Sequence, residues 1–375
     1  MQDREDAVSL YAVGDVCVNR EMPESIFSLS APVLNEADIA FCQLETVYSE
    51  RGTPSVVVGR PLRAHPRNVS AFAFAGFDIV SLAGNHVMDF GAEALADTKE
   101  LFESRNICTV GAGRNISEAR KPVFMERKGV RIAFLAYNSV LPYRHWAEAD
   151  KPGCAPVRVS TFYEQLEPHE PGGPARVITV TDKGDLEAMK QDIVKAKASA
   201  DAVVLSLHWG LHFTPAVIAG YQGEVGRAAI DAGADLIIGT HAHILKGIEV
   251  YRGKVITYCL CNFAFDNGWT AEEFAKPRHR ERQKYYPNFV YDKNYPTYTF
   301  PVDSRKTAVL KCSITKAGVQ RVSLLPAYIN SDGQPEILAR SDPRSAEVFN
   351  YMDDLCREFN TKLSFDGDEV LIHTG

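Results

Sequence analysis

Short apolar runs, many of them β-branched, alternate with longer amphipathic stretches between Val8 and Phe265. Such runs are typical of strands buried on both faces of a sheet, and the stretches between them are typical of helices that cover it. The predicted strands are Val8–Val13, Ile39–Leu44, Asp78–Leu82, Ile107–Val110, Arg131–Tyr137, Ala202–Leu207 and Leu236–Ile238, and the predicted helices are Pro66–Gly76, Gly91–Arg105, Leu186–Ala200 and Tyr221–Ala232. This order predicts an α/β fold with a mostly parallel sheet flanked by helices.

Two β-hairpins are also predicted, because a turn containing glycine separates two short β-type runs in each case. The first joins Phe124–Glu126 to Arg131–Tyr137, and the second joins Ile248–Tyr251 to Val255–Leu260.

Two irregular stretches interrupt the alternation. Pro142–Gly173 is rich in proline and charge, which predicts a loop excursion. Residues 267–304 are aromatic and basic with several prolines, which is typical of a lid, and a dimer contact or a disordered loop is the alternative. After them the pattern predicts two amphipathic strands, Thr307–Thr315 and Val319–Leu325, and a helix around Ser345–Phe359.

Composition narrows the class of protein. The chain has 375 residues, an ordinary 45% of hydrophobic residues and a net charge of −7, which gives no reason to expect nucleic acid as a partner. We find neither a secretory h-region nor an apolar run of membrane-spanning length, so no membrane anchor is expected. The eight cysteines are scattered, which favours free thiols in a reducing compartment and predicts a cytoplasmic location. A homo-oligomer remains open.

The residues that follow the predicted strands are the most informative part of the chain. They are two carboxylates, one amide and four imidazoles, namely Asp15, Glu45, Asn85, His86, His208, His241 and His243. The carboxyl ends of parallel strands line one crevice, where ligands bind. Each residue alone could be a turn, a helix cap or a core histidine, but the same coincidence at five strand ends favours a metal site. These ligand types suit one or two divalent ions, with manganese expected first and iron or zinc as alternatives.

The motifs around these residues resemble a known family. They are Gly14-Asp15, Gln43-Leu44-Glu45, Gly84-Asn85-His86-x-x-Asp89-x-Gly91, Leu207-His208-Trp209-Gly210 and Gly239-Thr-His241-Ala-His243. The set is similar to the bacterial CapA family of capsule and poly-γ-glutamate synthesis, a branch of the calcineurin-like metallophosphoesterase superfamily. The resemblance continues through Leu62-Arg63-Ala64-His65-Pro66, Gly247-Ile248-Glu249-Val250-Tyr251 and Asn262-Phe263. It covers roughly residues 8–266 and implies a metallophosphoesterase-like sandwich of mostly parallel sheet.

The resemblance also implies a role for each matching residue. Glu45 would bridge two metals, Asp15 and His243 would complete the ligands of the first, and Asn85, His208 and His241 would hold the second. His86 would be the general acid or a stabiliser of the transition state, with Asp89 orienting its ring. One departure is Cys17, which stands where the superfamily has a histidine; it is either a soft ligand or a small buried residue.

Four further residues are candidates for substrate binding. Arg63, His65 and Lys246 are cationic or can become so, and they lie within or beside the motifs, while His212 follows His208 by four residues. A solvated surface position for Arg63 and a structural role for His212 are the alternatives. Arginine would bind a carboxylate or phosphate through two parallel hydrogen bonds.

The sequence therefore predicts a metal-dependent hydrolase. Metal-activated water would attack an amide, lactone or ester of an anionic small molecule or of a γ-glutamyl-like, peptide-like substrate. A phosphoesterase on the same metal centre is one alternative, and a non-catalytic protein of capsule biosynthesis or polymer binding is the other. We divide the chain into a catalytic core at 1–266 with its excursion at 142–173, a lid-like insertion at 267–304, and strands and a helix at 305–375 that complete the same domain.

Overall fold

Two β-sheets face each other across a shared core in the computed structural model, which describes residues 7–266 and 269–375. The strands are β1 Val8–Cys17, β2 Ile39–Leu44, β3 Val47–Tyr48, β4 Arg63–Ala64, β5 Ile79–Ser81, β6 Cys108–Val110, β7 Ala112–Gly113, β8 Val123–Arg127, β9 Val130–Asn138, β10 Gly153–Cys154, β11 Val159–Gln165, β12 Ala175–Thr181, β13 Ala202–His208, β14 Leu236–Thr240, β15 Ile248–Tyr251, β16 Lys254–Thr257, β17 Asn262–Phe265, β18 Lys306–Thr315, β19 Gly318–Ile329, β20 Pro335–Ile337, β21 Leu363–Asp366 and β22 Glu369–Ile372.

Helices cover the outer faces of these sheets and fill the connections. They are α1 Ala31–Leu34, α2 Ser70–Phe74, α3 Gly91–Glu103, α4 Ile116–Ala119, α5 Lys183–Lys197, α6 Gly220–Asp231, α7 Ala271–Phe274, α8 Pro277–Tyr285 and α9 Pro343–Cys356, with 3₁₀ turns at Pro23–Phe27, Pro66–Val69, Val302–Arg305 and Arg357–Phe359. No helix within 7–266 or 269–375 is long and apolar enough to cross a bilayer.

The first sheet is mixed. Its order is β21-β22-β19-β18-β1-β2-β5-β6, with β20 beside β19. β1, β2, β5 and β6 run parallel, whereas β18 pairs antiparallel with the first half of β1. At Asp15 the parallel strand β17 replaces β18 as the neighbour of β1. Gly14 permits this exchange, because a Cβ there would lie 1.9 Å from the Cys261 carbonyl oxygen.

The second sheet has the order β15-β16-β14-β13-β9-β8, and its four central strands are parallel. Alternate residues of its strands face the first sheet, where the rings of Phe41 and Phe134 stack with centroids 6.2 Å apart. The opposite residues of the same strands pack against α5 and α6. Burial on both faces explains why these strands read as continuous apolar runs in the sequence.

The α/β fold with helices flanking mostly parallel strands is confirmed, although the parallel strands form two sheets rather than one. The predicted helix Pro66–Gly76 is a 3₁₀ turn followed by the short α2. The predicted loop Pro142–Gly173 is wrong in part, because it contains β10 and β11, and β11 forms a hairpin with β12. This hairpin is exposed along almost its whole length, so it lacks the one-sided apolar alternation by which strands are recognised.

The C-terminal strands β18 and β19 extend the first sheet beside β1, and α9 packs against the core between the sheets. Of the aromatic-basic segment 267–304, Asn267 and Gly268 lie outside the described residues. The described remainder contains α7 and α8 and packs its aromatic rings together near the carboxyl end of β17.

Candidate metal centre

Parallel strands of both sheets bring their carboxyl ends to one edge of the molecule, where two acidic residues of the first sheet meet imidazoles of the second. Asp15 Oδ1 lies 3.7 Å from His208 Nδ1, and Glu45 Oε2 lies 3.6 Å from His208 Nε2. Ligand atoms of Asp15, Glu45 and His208 all lie within 4.8 Å of one another. Two strand ends of one sheet and one of the other therefore form a cluster that could hold a metal ion.

The segment that follows β14 adds two more imidazoles through an unusual backbone. His241 and His243 have φ angles of 90° and 55°, in the left-handed region that non-glycine residues rarely adopt. The amide of His241 donates a 3.0 Å hydrogen bond to Asp15 Oδ2, which fixes this turn to the first sheet. Strained backbone of this kind concentrates at functional sites.

Asn85 reaches the cluster from the loop after β5. Its Oδ1 lies 2.8 Å from His208 Nε2, and His241 Nδ1 lies 3.2 Å from the same nitrogen. The preceding Gly84 lets this loop approach β2 closely, because a Cβ there would stand 2.7 Å from the Leu44 carbonyl oxygen. The close approach places the amide beside the imidazoles.

Hydrogen bonds at Nδ1 orient two of the histidines. His208 Nδ1 lies 2.9 Å from Thr240 Oγ1, and His243 Nδ1 lies 2.7 Å from Asn262 Oδ1. The amide NH₂ of Asn262 donates to the hydroxyl of Tyr298 at 2.8 Å, so its oxygen faces His243 and accepts the Nδ1 proton. The lone pair of His243 Nε2 then points toward Glu45 Oε1, 3.6 Å away.

The pKa values of the cluster follow from its burial. Removal from water raises the pKa of Asp15 to about 8, although the His241 amide lowers it, and burial together with Asp15 and Asp89 raises the pKa of Glu45 well above its usual range. Burial also lowers the pKa of His208 well below its usual range and that of His243 to about 3. The imidazoles are thus held in the neutral form that binds metals.

The donor set fits a divalent cation. Among the described residues, Asp15 Oδ1 and both carboxylate oxygens of Glu45 are buried without a hydrogen-bond partner. Such orphaned oxygens are costly unless an ion, a water or a proton satisfies them. Asp15, Glu45, Asn85, His208, His241 and His243 are brought together as expected, and oxygen and imidazole donors suit manganese, iron or zinc.

His86 and Asp89 form a separate pair beside this cluster. His86 Nδ1 lies 2.6 Å from Asp89 Oδ2, and the amide of Leu62 donates to the same oxygen at 2.6 Å. Asp89 is completely buried, so its carboxylate fixes the imidazole and leaves Nε2 for other partners. This is the arrangement of a general acid or base held by an orienting carboxylate.

A cavity of about 270 Å³ opens onto the cluster, and Glu45, Asn85, His86, His212 and His243 all line it. The His212 ring lies 4.1 Å from that of His241 and 5.2 Å from that of His243, centroid to centroid. Desolvation and the neighbouring His241 and His243 lower the pKa of His212 well below its ordinary value. The structure therefore brings His212 to the candidate site.

The structure places two other predicted residues in a groove beside this cavity. Cys17 and Arg63 line a neighbouring groove of about 850 Å³, which shares Arg60 and Leu62 with the cavity. The thiol of Cys17 donates to the Asp266 carbonyl oxygen at 3.8 Å, and burial raises its pKa well above the usual value, which favours a small buried residue over a ligand. Arg63 is exposed, with its guanidinium carbon 4.3 Å from the Phe90 ring centroid.

His65 and Lys246 have structural contacts instead of a place in the cavity. His65 is exposed and caps the following 3₁₀ turn, where its Nδ1 accepts the amide of Arg67 at 3.1 Å. The buried ammonium of Lys246 donates to the carbonyl oxygens of Thr214 and Val217, the latter at 3.0 Å. Lys246 was expected at the edge of the crevice, but the loop after β13 folds over it.

Sequence reasoning missed the residues that close the cavity. Arg282 of α8 and aromatic residues of the same segment line it together with Phe213 from the loop after β13. The basic run at 276–280 marks this segment as unusual, but nothing in the pattern singles out Arg282. Asn262 belongs to a motif recognised in the sequence, yet its contact with His243 depends on the parallel pairing of β17 with β1.

Comparison with known proteins places the chain among capsule-synthesis proteins. The sequence model described as "Bacterial capsule synthesis protein PGA_cap" matches residues 9–267. The "PGA biosynthesis protein CapA" of Bacillus subtilis is 30% identical over 276 residues, which cover 71% of this chain and 65% of that protein. The "Capsule biosynthesis protein CapA" of Bacillus anthracis is 27% identical over 276 residues, 71% of this chain and 61% of that protein.

A probable polyglutamine synthesis accessory protein of Mycobacterium tuberculosis is 29% identical over 225 residues, 59% of this chain and 54% of that protein. The matched region thus spans less than two thirds of the length of these relatives. Two solved structures align with low scores. A hypothetical protein from Thermus thermophilus has a TM-score of 0.45 and 13% sequence identity, and the alignment covers 85% of this chain and 98% of that chain. The calcineurin-like phosphoesterase YfkN from Bacillus subtilis has a TM-score of 0.37 and 12% sequence identity, and the alignment covers 94% of this chain and 99% of that chain.

Proposed function

The chain belongs to the bacterial capsule synthesis protein family, and from this premise we propose that it is a metal-dependent hydrolase of γ-glutamyl-like amide bonds in anionic substrates. Asp15, Glu45, Asn85, His208, His241 and His243 would hold one or two divalent ions, and His86 with Asp89 would handle the proton of the leaving group. A lactone or ester of similar charge is open to the same chemistry.

One observation carries the proposal. The two oxygens of Glu45 face Nε2 of His208 and Nε2 of His243 at 3.6 Å each, and neither oxygen has a hydrogen-bond partner among the described residues. For His243 the hydrogen bond to Asn262 leaves a lone pair on that nitrogen. A carboxylate oxygen facing a lone pair repels it unless a cation or a proton lies between them. A carboxylate with an imidazole on each side is suited to bridging two ions.

The residues of this chain would share the work as follows. Asp15, Glu45 and the imidazoles of His208, His241 and His243 would hold the ion, which would supply an activated water and positive charge near the attacked carbonyl. The ring of His86, held at Nδ1 by Asp89, would donate a proton from Nε2 to the departing amine. The aromatic wall of the cavity would exclude bulk water, which strengthens each of these electrostatic contacts.

The names of the relatives favour a γ-glutamyl substrate over a phosphoester. The relatives from Bacillus subtilis and Mycobacterium tuberculosis are named for synthesis of PGA and of polyglutamine, respectively. A cationic residue, Arg282, in the cavity wall is consistent with an anionic substrate.

The test combines metal analysis with a substrate panel. Protein purified without chelator should contain about one or two equivalents of manganese, iron or zinc per chain, and should release amine from γ-glutamyl oligomers. Glu45→Gln should lose metal and activity together, because it removes the charge of the central ligand. Glu50→Gln, a matched change at an exposed carboxylate, should leave both unchanged.

Three outcomes would contradict the proposal. Metal-loaded protein that cleaves p-nitrophenyl phosphate but no γ-glutamyl amide is a phosphoesterase. Protein that binds poly-γ-glutamate and cleaves neither bond has a non-catalytic role in capsule synthesis. Full metal content in Glu45→Gln would show that Glu45 is not a ligand.

A further inference from the structure

Arg282 occupies a box of aromatic rings at the outer wall of the cavity. Its guanidinium carbon lies 4.7 Å from the ring centroid of Phe289, 5.2 Å from that of Phe213, 5.7 Å from that of Tyr286 and 5.9 Å from that of Trp269. Cation–π contacts at these distances hold the guanidinium in place. In the described part of the chain, none of its N–H groups donates a hydrogen bond, so these groups remain open to a ligand.

Arg282 is half-buried, yet it has no acidic partner among the residues that the structure describes. Arg20 pairs with Asp266 at 2.7 Å and Arg305 pairs with Asp292 at 2.7 Å. Within residues 7–266 and 269–375, no carboxylate lies at ion-pair distance from Arg282, although the side chain is half-buried. A partly desolvated cation is costly without an anion, and no described residue accepts a hydrogen bond from its five N–H donors.

The position of Arg282 relative to the metal centre is set by Phe213. The centroid of the Phe213 ring lies 5.2 Å from the guanidinium carbon and 5.8 Å from the centroid of the His243 ring. Arg282, Glu45, Asn85 and His243 line the same cavity of about 270 Å³. That volume is at the lower end of small-molecule sites, so a ligand inside it contacts both the guanidinium and the metal-binding edge.

We propose that Arg282 is the specificity-determining residue of this site and binds a carboxylate a few bonds from the group that is cleaved. This inference rests on the proposed function and names its substrate class: compounds with a free α-carboxylate on the γ-glutamyl residue that supplies the carbonyl of the cleaved amide. The planar fork of arginine matches the two oxygens of a carboxylate, and the aromatic box fixes the fork before the ligand arrives. Lysine, a point charge, would replace it only in part.

The experiment uses two probes that differ in this carboxylate alone. γ-Glutamylglutamate carries it, and 4-aminobutanoylglutamate lacks it. Binding of each to manganese-loaded protein is measured by calorimetry, and hydrolysis is followed separately by release of glutamate. The variants are Arg282→Gln, Arg282→Lys and the control Arg280→Gln, which makes the same change at an exposed position on the same helix.

Wild type should bind γ-glutamylglutamate about 10–100-fold more tightly than the analogue, the effect of a charge-assisted pair. Arg282→Gln should abolish this preference, Arg282→Lys should retain part of it, and Arg280→Gln should retain all of it. Thermal melting of each variant identifies loss of fold. If Arg282→Gln does not fold, Arg282→Lys still tests the inference, because it keeps the charge and should reduce the preference.

The inference is overturned if wild type shows no preference, if Arg282→Gln keeps it, or if that variant weakens both probes equally, which is the result of a structural role. A preference that depends on Arg282 without any hydrolysis would sink the proposed catalytic function and leave this binding role intact. Hydrolysis by the protein together with a binding preference that is unchanged in Arg282→Gln would support the catalytic function and overturn the role of Arg282.

Discussion

At the scale of single residues, the candidate site is defined by which side chains have a partner and which do not. Asp89 Oδ2 contacts the ring of His86 and accepts the Leu62 amide, while its Oδ1 has no hydrogen-bond partner within the described residues. Glu45 has no such partner at either oxygen, and both of its oxygens face imidazole nitrogens. Asp89 is therefore placed to orient His86, whereas Glu45 is placed to share an ion with the imidazoles.

His86 should therefore be separable from the metal ligands by mutation. His86→Ala should retain bound metal but lose kcat by about 10²–10⁴-fold, since it removes the proton donor and leaves the ligands in place. Elemental analysis and steady-state kinetics on the same preparation check both parts. His65→Ala, at an exposed histidine outside the cavity, serves as the control. Unchanged turnover in His86→Ala would rule out the catalytic role.

At the scale of elements, the loop after β13 is held over the site by the Phe213 amide, which donates to the Ala242 carbonyl oxygen at 3.0 Å, and by Lys246. It carries His212 and Phe213 over the metal-binding edge, and the ammonium of Lys246 binds two of its carbonyl oxygens. Burial lowers the pKa of Lys246 to about 8. Lys246 therefore acts on the site through the position of this loop.

Lys246→Met should loosen the loop without unfolding the protein. Methionine fills a similar volume but leaves the carbonyls of Thr214 and Val217 without a donor, at a cost of about 1–3 kcal/mol in the free energy of unfolding. Hydrogen exchange should accelerate in residues 212–217 more than in β13 itself. Lys316→Met, at an exposed lysine in a turn, should change neither quantity. Unaltered exchange in the loop would show that Lys246 does not hold it.

At the scale of the whole molecule, Asp235 links the second sheet to its covering layer. It lies just before β14, and it accepts hydrogen bonds from Lys197 of α5 and Lys254 of β16 and from the amide of Val203 in β13. Burial by itself raises the pKa of Asp235, but these donors outweigh it and hold the pKa below its ordinary value.

This network predicts a pH dependence of stability. Because the pKa of Asp235 is lowered by folding, its contribution is present above the unfolded value of about 4 and is lost as pH falls through the folded value. Asp235→Asn should cost about 2–4 kcal/mol at pH 7 and much less at pH 3. Urea unfolding at both pH values measures the difference, with the exposed Asp354→Asn as control. An equal cost at both pH values would contradict the assignment.

Local sequence pattern is sufficient for the α/β class, most strands and helices, and the set of ligand candidates. A strand buried on both faces must be apolar along its whole length, and polar residues at its carboxyl end stand out against that run. Asp15, Glu45 and His208 can be grouped from the sequence, because the carboxyl ends of parallel strands share an edge. The exposed β11–β12 hairpin escapes such a prediction, since nothing buried imposes a pattern on it.

Packing between distant segments determines which residues surround that cluster, and the sequence pattern does not show it. The strands divide between two sheets whose facing sides meet at Phe41 and Phe134. The hydrophobic pattern does not show this division, because the central strands are apolar on both faces. Lys246 follows the apolar residues Ile244 and Leu245, whereas Arg282 lies in a run of charged residues. The loop after β13 encloses the first, and α8 carries the second to the cavity. Contacts between segments far apart in the chain depend on packing in three dimensions, so the position of a charge relative to the metal centre is a property of the fold.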